Sequence, residues 1–227
     1  MEKAVIFDMD GVLVDSQPLH YEIDMAVLKA CDCPATLEIV TAYTGISNPD
    51  RWPKYKETLG LVQSVDRLIE LQTEFMIKIF NRADLAPIDG IPALLDFLQK
   101  SSIPCGVASS SSHELINLVL EKCNIKHYFT HLISGEDVKA GKPAPDIYLK
   151  AAKAVGAPPE GCVAIEDSAM GILSAKNAGF TCIGFVNHNT YGQDFTHADY
   201  VVKHFDECKE IIEKMCSWGT EPYDHSF

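Results

Sequence analysis

Basic residues are the scarce class in this chain. Its 227 residues include 19 Lys and Arg against 32 Asp and Glu, a formal net charge of −13. So negative a surface does not attract nucleic acid or anionic membrane, since both need a field of positive charge. A small phosphorylated ligand stays open, because a few local cations or a metal can reverse the sign inside one pocket. Long apolar runs are lacking too. None approaches the ~18 residues of a membrane span. The run nearest the N-terminus leads into acids, so no signal peptide is expected. Also missing is any C-x-x-C pair among the eight cysteines, which are Cys31, Cys33, Cys105, Cys123, Cys162, Cys182, Cys208 and Cys216. Cys31-x-Cys33 has no second pair to complete a zinc site. Cys105, Cys162 and Cys182 lie inside apolar runs, where a free thiol behaves as a small hydrophobe. The expectation is a cytoplasmic protein with reduced cysteines, and nothing in the sequence demands more than a monomer. Internal repeats and low-complexity segments are absent.

What is present begins at Ala4-Val5-Ile6-Phe7-Asp8-Met9-Asp10-Gly11. Four apolar residues run into two carboxylates spaced two apart, then a glycine. A buried strand has no use for acids at its end unless something there binds them, because an unpaired buried carboxylate costs several kcal/mol or takes up a proton. Residues two apart in an extended segment face one side, so Asp8 and Asp10 are expected to converge. The pattern suggests a nucleophilic aspartate, a helper acid and a hard metal cation.

Further along, short apolar runs alternate with helical patterns. Strands are expected at Ala4–Phe7, Pro104–Ala108, Leu132–Ser134, Cys162–Ile165, Thr181–Val186 and Tyr200–Val202. Several are continuously apolar, as strands covered on both faces are. Helices are expected near Ile91–Lys100, His113–Cys123, Ala144–Val155, Ala169–Ala178 and Asp206–Met215, with Gly156 and Gly179 as terminators. This alternation predicts an α/β fold with a doubly wound, Rossmann-like parallel sheet. One interval breaks it. Between residues 16 and 86 no strand is apparent, and Tyr21–Ala30 and Leu68–Phe80 read as amphipathic helices around a stretch punctuated by Gly45, Pro49, Pro53 and Gly60. The expected organisation is a core of residues 1–15 and 87–227 with an inserted all-helical cap domain of residues 16–86. Ligands of open α/β sheets bind at the carboxyl ends of the strands. Asp8 and Asp10 mark such an end, and the insertion leaves from it. A polar tail follows Met215.

Three other strand ends carry polar residues. Ser109-Ser110-Ser111-Ser112 leads into a helix and supplies either a phosphate cradle of hydroxyls and N–H groups or simply a helix cap. Lys142, between Gly141 and Pro143, is either a solvated loop residue or a point charge aimed at a phosphate. Glu166-Asp167-Ser168 offers oxygen ligands suited to magnesium, with Ser168 expected to cap the next helix and leave Asp167 for the metal. With Asp8, Glu166 and Asp167 ionised and Asp10 protonated, three negative charges face Lys142 alone. Each like pair at ~4 Å costs on the order of 4 kcal/mol at an effective dielectric near 20, so this inventory calls for a divalent cation.

In order, Asp8-x-Asp10-Gly11, Ser109 after an apolar strand, Lys142-Pro143 and Glu166-Asp167 resemble the four motifs of the haloacid dehalogenase superfamily, most closely its β-phosphoglucomutase-like phosphatases and mutases with a helical type-1 cap. The resemblance implies Asp8 as nucleophile and Asp10 as general acid–base. It implies Ser109 and Ser110 with Lys142 on the phosphate. It also implies Mg²⁺ held by Asp8, Asp10 (through its carbonyl), Asp167 and Glu166, the last as ligand or outer-shell acid. Cap residues His20, Gly45, Ser47, Asn48 and Arg51 are the implied specificity candidates. The chain departs from the mutase pattern twice. Asn48 stands where mutases carry an arginine, with Arg51 three residues on, and Ser112 stands near the place of a lysine. Fewer cations for a distal phosphate favour a Mg²⁺-dependent phosphatase of a small phosphorylated metabolite, such as a sugar phosphate, working through an aspartyl-phosphate. The alternatives are a β-phosphoglucomutase-type mutase and a non-catalytic phosphometabolite-binding protein.

Overall fold

The computed structural model describes residues 2–42, 48–189 and 192–217. The expected cap-loop positions Gly45 and Ser47 therefore lie outside the described residues, as does the tail from residue 218. Strands β1 (Ala4–Phe7), β2 (Cys105–Ser109), β3 (His131–Ser134), β4 (Cys162–Glu166), β5 (Thr181–Phe185) and β6 (Tyr200–Val202) form one sheet in the order β3-β2-β1-β4-β5-β6. Every pairing is parallel. The order reverses direction beside β1, which is where a doubly wound sheet opens a crevice at its carboxyl edge.

Side-chain parity shows why both faces are covered. Along β1, Val5 and Phe7 join a core with Val107, Val163, Ile165 and Ile183, while Ala4 and Ile6 join a second core with Ala108, Cys162, Ala164 and Cys182. The first core is closed by helices α5 (Ile91–Lys100), α6 (His113–Lys122) and α9 (Phe205–Ser217). The second is closed by α7 (Asp146–Val155) and α8 (Ala169–Asn177). Alanine and cysteine dominate that second face, so α7 and α8 have little side-chain bulk between them and the strands. Burial raises the thiols of Cys105 and Cys162, to about 12 and about 11, which keeps them inert.

Helix ends follow the sequence signals. Ser112 accepts from Leu115 N at 3.3 Å and Ser168 from Gly171 N at 3.1 Å, capping α6 and α8. Gly156 ends α7 with φ +77°.

The described part of the stretch between residues 16 and 86 holds four helices and no strand: α1 (Gln17–Ala30), α2 (Leu37–Thr41), α3 (Asn48–Leu59) and α4 (Val65–Arg82). Two of these had no clear sequence signal. α2 is five residues long, and α3 carries Pro53 within it, which removes a backbone donor and reads as a breaker. Tertiary packing overrides the proline. Trp52 and Tyr55 of α3 are fully buried, and Trp52 Nε1 donates to Gln72 Oε1 of α4 at 2.8 Å. The two connections to the sheet run side by side, with Val14 bridged to Pro87 and Ile88 N donating to Leu13 O at 3.0 Å. No described helix is long and apolar enough to cross a membrane.

Leu95 of α5 has no exposed surface. Leu95→Ala is expected to lower unfolding free energy by about 2–5 kcal/mol, through lost burial and the cavity left behind, read as a shifted midpoint in urea at unchanged slope.

Candidate active site

Strand parity places the first two acids. Asp8 continues the Ala4, Ile6 series past the end of β1, and its N–H still pairs with Ile165 O at 3.0 Å. Glu166 continues the Cys162, Ala164 series at the end of β4. Neighbouring strands in register thus bring both carboxyl groups to the α7 side of the sheet. There Lys142 inserts between them: its Nζ donates to Asp8 Oδ1 at 2.6 Å, Glu166 Oε1 at 2.5 Å and Ala108 O at 3.1 Å. Its side chain is 8 % exposed, so the solvated-loop alternative does not hold. Burial pushes the Lys142 ammonium down, but Asp8 and Glu166 outweigh it and hold it well above its ordinary value.

Glu166 is saturated with donors. Oε1 accepts from Lys142 and from Tyr148 Oη at 2.8 Å. Oε2 accepts from Asp167 N at 3.1 Å, Ser168 N at 3.3 Å and Ser168 Oγ at 3.1 Å. Tyr148 also presents its ring to Lys142, 5.3 Å from Nζ to centroid. Sequence reasoning did not find Tyr148, since an aromatic on the buried face of α7 looks like any core residue.

Asp167, 8 % exposed, completes an acidic cluster. Asp8, Glu166 and Asp167 each offer a carboxylate oxygen, all within 4.8 Å of one another. Burial drives the Asp8 carboxyl well above its ordinary value. Lys142 opposes this, while Glu166, Asp167 and Asp10 add to it by repulsion. An all-oxygen set of clustered acids suits a hard divalent cation such as magnesium.

Asp10 lies beyond the strand, where the chain bends through Gly11. Its Oδ1 accepts from Ser16 Oγ at 2.5 Å and lies 3.4 Å from His20 Nε2, and its Oδ2 accepts from Ser111 Oγ at 3.1 Å. Burial pushes this carboxyl up, but the His20, Ser16 and Ser111 partners outweigh it and hold it below the ordinary carboxylate value. The charge inventory of the sequence has Asp10 protonated. The structure favours its carboxylate, because donors converge on it from α1, its N-cap and the β2–α6 loop. Ser16 and Ser111 were not singled out from sequence. Ser111 stood in a four-serine run with nothing to set it apart.

The serine run divides its labour. Ser109, 1 % exposed, accepts from Ser111 N at 3.1 Å through its Oγ. Ser111 turns to Asp10, and Ser112 caps α6, as given above. Among the cap candidates, His20 reaches Asp10. Asn48 is the first residue of α3. Arg51 is engaged within the helical insertion, its Nη2 lying 3.3 Å from Asp24 Oδ1, while Tyr55 Oη donates to Asp24 Oδ2 at 3.1 Å. Arg51 is 8 % exposed, so it does not stand open as the substitute cation that its sequence position suggested.

Gly11 is required twice over. Its φ is +82°, and a Cβ there would lie 1.9 Å from Asp167 Oδ2. Gly11→Ala is expected to displace the Asp167 carboxylate and weaken divalent-cation binding tenfold or more (about 1.4 kcal/mol per tenfold), measured by calorimetric titration of purified protein.

Comparison with known proteins agrees with this geometry. The family pattern described as haloacid dehalogenase-like hydrolase matches residues 5–185. The phosphorylated carbohydrates phosphatase of Thermotoga maritima is 31 % identical over 82 % of this chain and 86 % of its own length. The β-phosphoglucomutase of Bacillus subtilis is 31 % identical over 88 % of this chain and 89 % of its own. Among solved structures, CbbY from Rhodobacter sphaeroides in complex with xylulose-(1,5)bisphosphate superposes with a TM-score of 0.77 at 25 % identity, covering 91 % of this chain and 96 % of that one. With its ordered acidic motifs gathered at one sheet edge and the pattern matched over most of its length, this chain belongs to the haloacid dehalogenase-like hydrolase family.

Proposed function

We propose that this enzyme is a Mg²⁺-dependent phosphatase of a small phosphorylated carbohydrate, working through an aspartyl-phosphate on Asp8. The observation that carries the reading is the buried triad of Asp8, Lys142 and Glu166 with Asp167 alongside. It is a carboxylate held in one orientation by an ammonium that is itself anchored from behind. The donor set fits a divalent cation. Asp8 and Asp167 would hold it together with the Asp10 carbonyl, whereas Glu166 is occupied with its donors and serves mainly to hold Lys142. Mg²⁺, when bound, would neutralise phosphoryl charge and offset the repulsion among the acids.

The residues then act in order. Lys142 keeps Asp8 Oδ1 engaged and presents positive charge to the phosphoryl oxygens. Ser109, Ser110 and the N–H groups before α6 receive those oxygens. Asp8 attacks phosphorus in line and the ester oxygen leaves. That oxygen takes a proton from Asp10, whose carboxyl is raised when a phosphoryl dianion enters beside it, since a like charge favours the protonated form. Asp10, again a carboxylate with its serine and histidine donors in place, then removes a proton from the water that hydrolyses the acyl phosphate. Residues 16–86 act as the cap: His20 contacts Asp10 from that segment, and a closed helical cover excludes competing water.

The relatives support a carbohydrate phosphate as substrate, the Thermotoga protein by its name and the Rhodobacter protein by its bound bisphosphate. A mutase must also grip a second phosphate. Arg51 is committed to Asp24, and Ser112 caps a helix rather than supplying a cation, so hydrolysis is the better reading.

Purified protein with Mg²⁺ is expected to release phosphate from at least one sugar monophosphate and to stop when a chelator is added. Asp8→Asn should lower turnover roughly 10⁴-fold or more, as loss of a nucleophile does, while the protein stays folded. Silence across a broad panel of monophosphates would sink the reading. Conversion of β-glucose 1-phosphate to glucose 6-phosphate without free phosphate would replace it with the mutase.

The cation also makes a stability prediction. Burial and the neighbouring acids hold the Asp8 carboxyl well above its ordinary value. Its contribution to stability is therefore complete below that ordinary value and is lost as pH rises through the raised one. Magnesium binds the carboxylate form and opposes the loss. At about 100 times its Kd it should add about 2.7 kcal/mol. Scanning calorimetry should show a Mg²⁺-induced rise in Tm at about pH 7.5 that shrinks towards about pH 4.5. An equal rise at both would contradict the assignment of Asp8 to the cation.

A further inference from the structure

The turn that leaves β3 touches no reacting group, yet its polar atoms are aimed at the loop that does. Ser134 is the register partner of Ser109 across β2 and β3 and is fully buried. Its Oγ donates to Ser111 O at 2.7 Å and accepts from Glu136 N at 3.0 Å. Ser111, held by that carbonyl contact, donates its own Oγ to Asp10 Oδ2 at 3.1 Å. Gly135 comes so close to the same loop that a Cβ would lie 2.8 Å from Ser110 O. The turn is tied down on its far side. Ser134 N donates to Asp137 Oδ2 at 2.9 Å, and Asp137 pairs with His113 Nε2 of α6 at 2.8 Å and Lys150 Nζ of α7 at 3.2 Å. Glu136 Oε2 accepts from His113 N at 3.0 Å.

We infer that Ser134 is a positioning residue: with Gly135 packed against Ser110, it braces the Ser109–Ser112 loop so that Ser111 Oγ stays on the Asp10 carboxylate. This rests on the reading of Asp10 as the acid–base group. A backbone carbonyl gripped by a buried hydroxyl on a strand is held in place, and the hydroxyl three bonds from its carbon is held with it. Without the brace the loop keeps its helix cap at Ser112 but loses its register to Asp10. The expected result is slower proton transfer with substrate binding largely retained.

A double-mutant cycle tests this. Ser134→Ala is expected to lower kcat about tenfold, in keeping with a small misplacement of a catalytic group, and to move KM much less. In a Ser111→Ala background the same change should have little further effect, because the hydroxyl that Ser134 positions is already gone. Gly135→Ala removes no buried polar partner and pushes on the Ser110 carbonyl, so it should reproduce the kcat loss even if Ser134→Ala folds poorly. Full multiplication of the two single effects, or unchanged kcat in both Ser134→Ala and Gly135→Ala, would overturn the inference. The crystal structure of Ser134→Ala decides it without turnover. Ser111 Oγ should leave hydrogen-bonding reach of Asp10 Oδ2, and retention of the 3.1 Å contact would overturn the brace. If the wild-type protein hydrolyses no phosphomonoester, the phosphatase reading fails while that structural comparison still judges the brace.

Discussion

A single buried ammonium organises this molecule's working end. Lys142 Nζ sits between Asp8 and Glu166 with almost no access to solvent. Such a group is stable only while both carboxylates and the Ala108 carbonyl surround it, because an unpaired buried charge is among the most expensive defects a fold can carry. Each neighbour therefore has its own support. Glu166 is held by Tyr148 and by the amides that open α8. Gly171 lies so close to Glu166 that a Cβ would meet its carboxylate at 1.9 Å. The small side chains on the α7–α8 face serve the same end, since they let those helices approach the strands that carry the acids.

The arrangement also separates the two aspartates electrostatically. Asp8 shares its pocket with other acids and is pushed towards protonation, so it has reason to take a cation or a phosphoryl group. Asp10 lies outside the strand and collects three partners from two separate segments, the start of α1 and the β2–α6 loop, which stabilise its charge. Two carboxylates two residues apart thus have opposite tendencies. That separation is what a covalent mechanism with an acid–base step requires. Lys142 stands with Asp8, whereas Ser111 of the serine loop and His20 from the helical insertion stand with Asp10. The insertion therefore meets the site at Asp10 rather than at Asp8.

Much of the core was legible in the sequence. Its six apolar runs became six parallel strands, since continuous apolarity at strand length has few other uses in a chain with intervening amphipathic helices. The acids at the ends of β1 and β4 were conspicuous for the same reason: carboxylates adjoining buried strands demand partners. The helical insertion was less readable. Pro53 and the short α2 look like breaks when only local propensity is weighed, but the burial of Trp52 and Tyr55 outweighs a missing backbone bond. Arg51 shows the opposite limit. Its residue type suggested a phosphate ligand, and only its packing against Asp24 revealed another use.

The sequence by itself determined the fold class, the order of the motifs and the standing of Asp8 and Asp167 as chemically loaded positions, because period-two burial and charge economy act on neighbouring residues. The tertiary structure alone decided which oxygen each donor reaches, that Lys142 is buried between Asp8 and Glu166, that donors converge on the Asp10 carboxylate, and that Tyr148, Ser111 and Ser134 stand around these groups. Those facts arise where segments far apart in the chain meet in a medium of low dielectric. There a few tenths of an ångström and one more hydrogen bond decide where a proton resides.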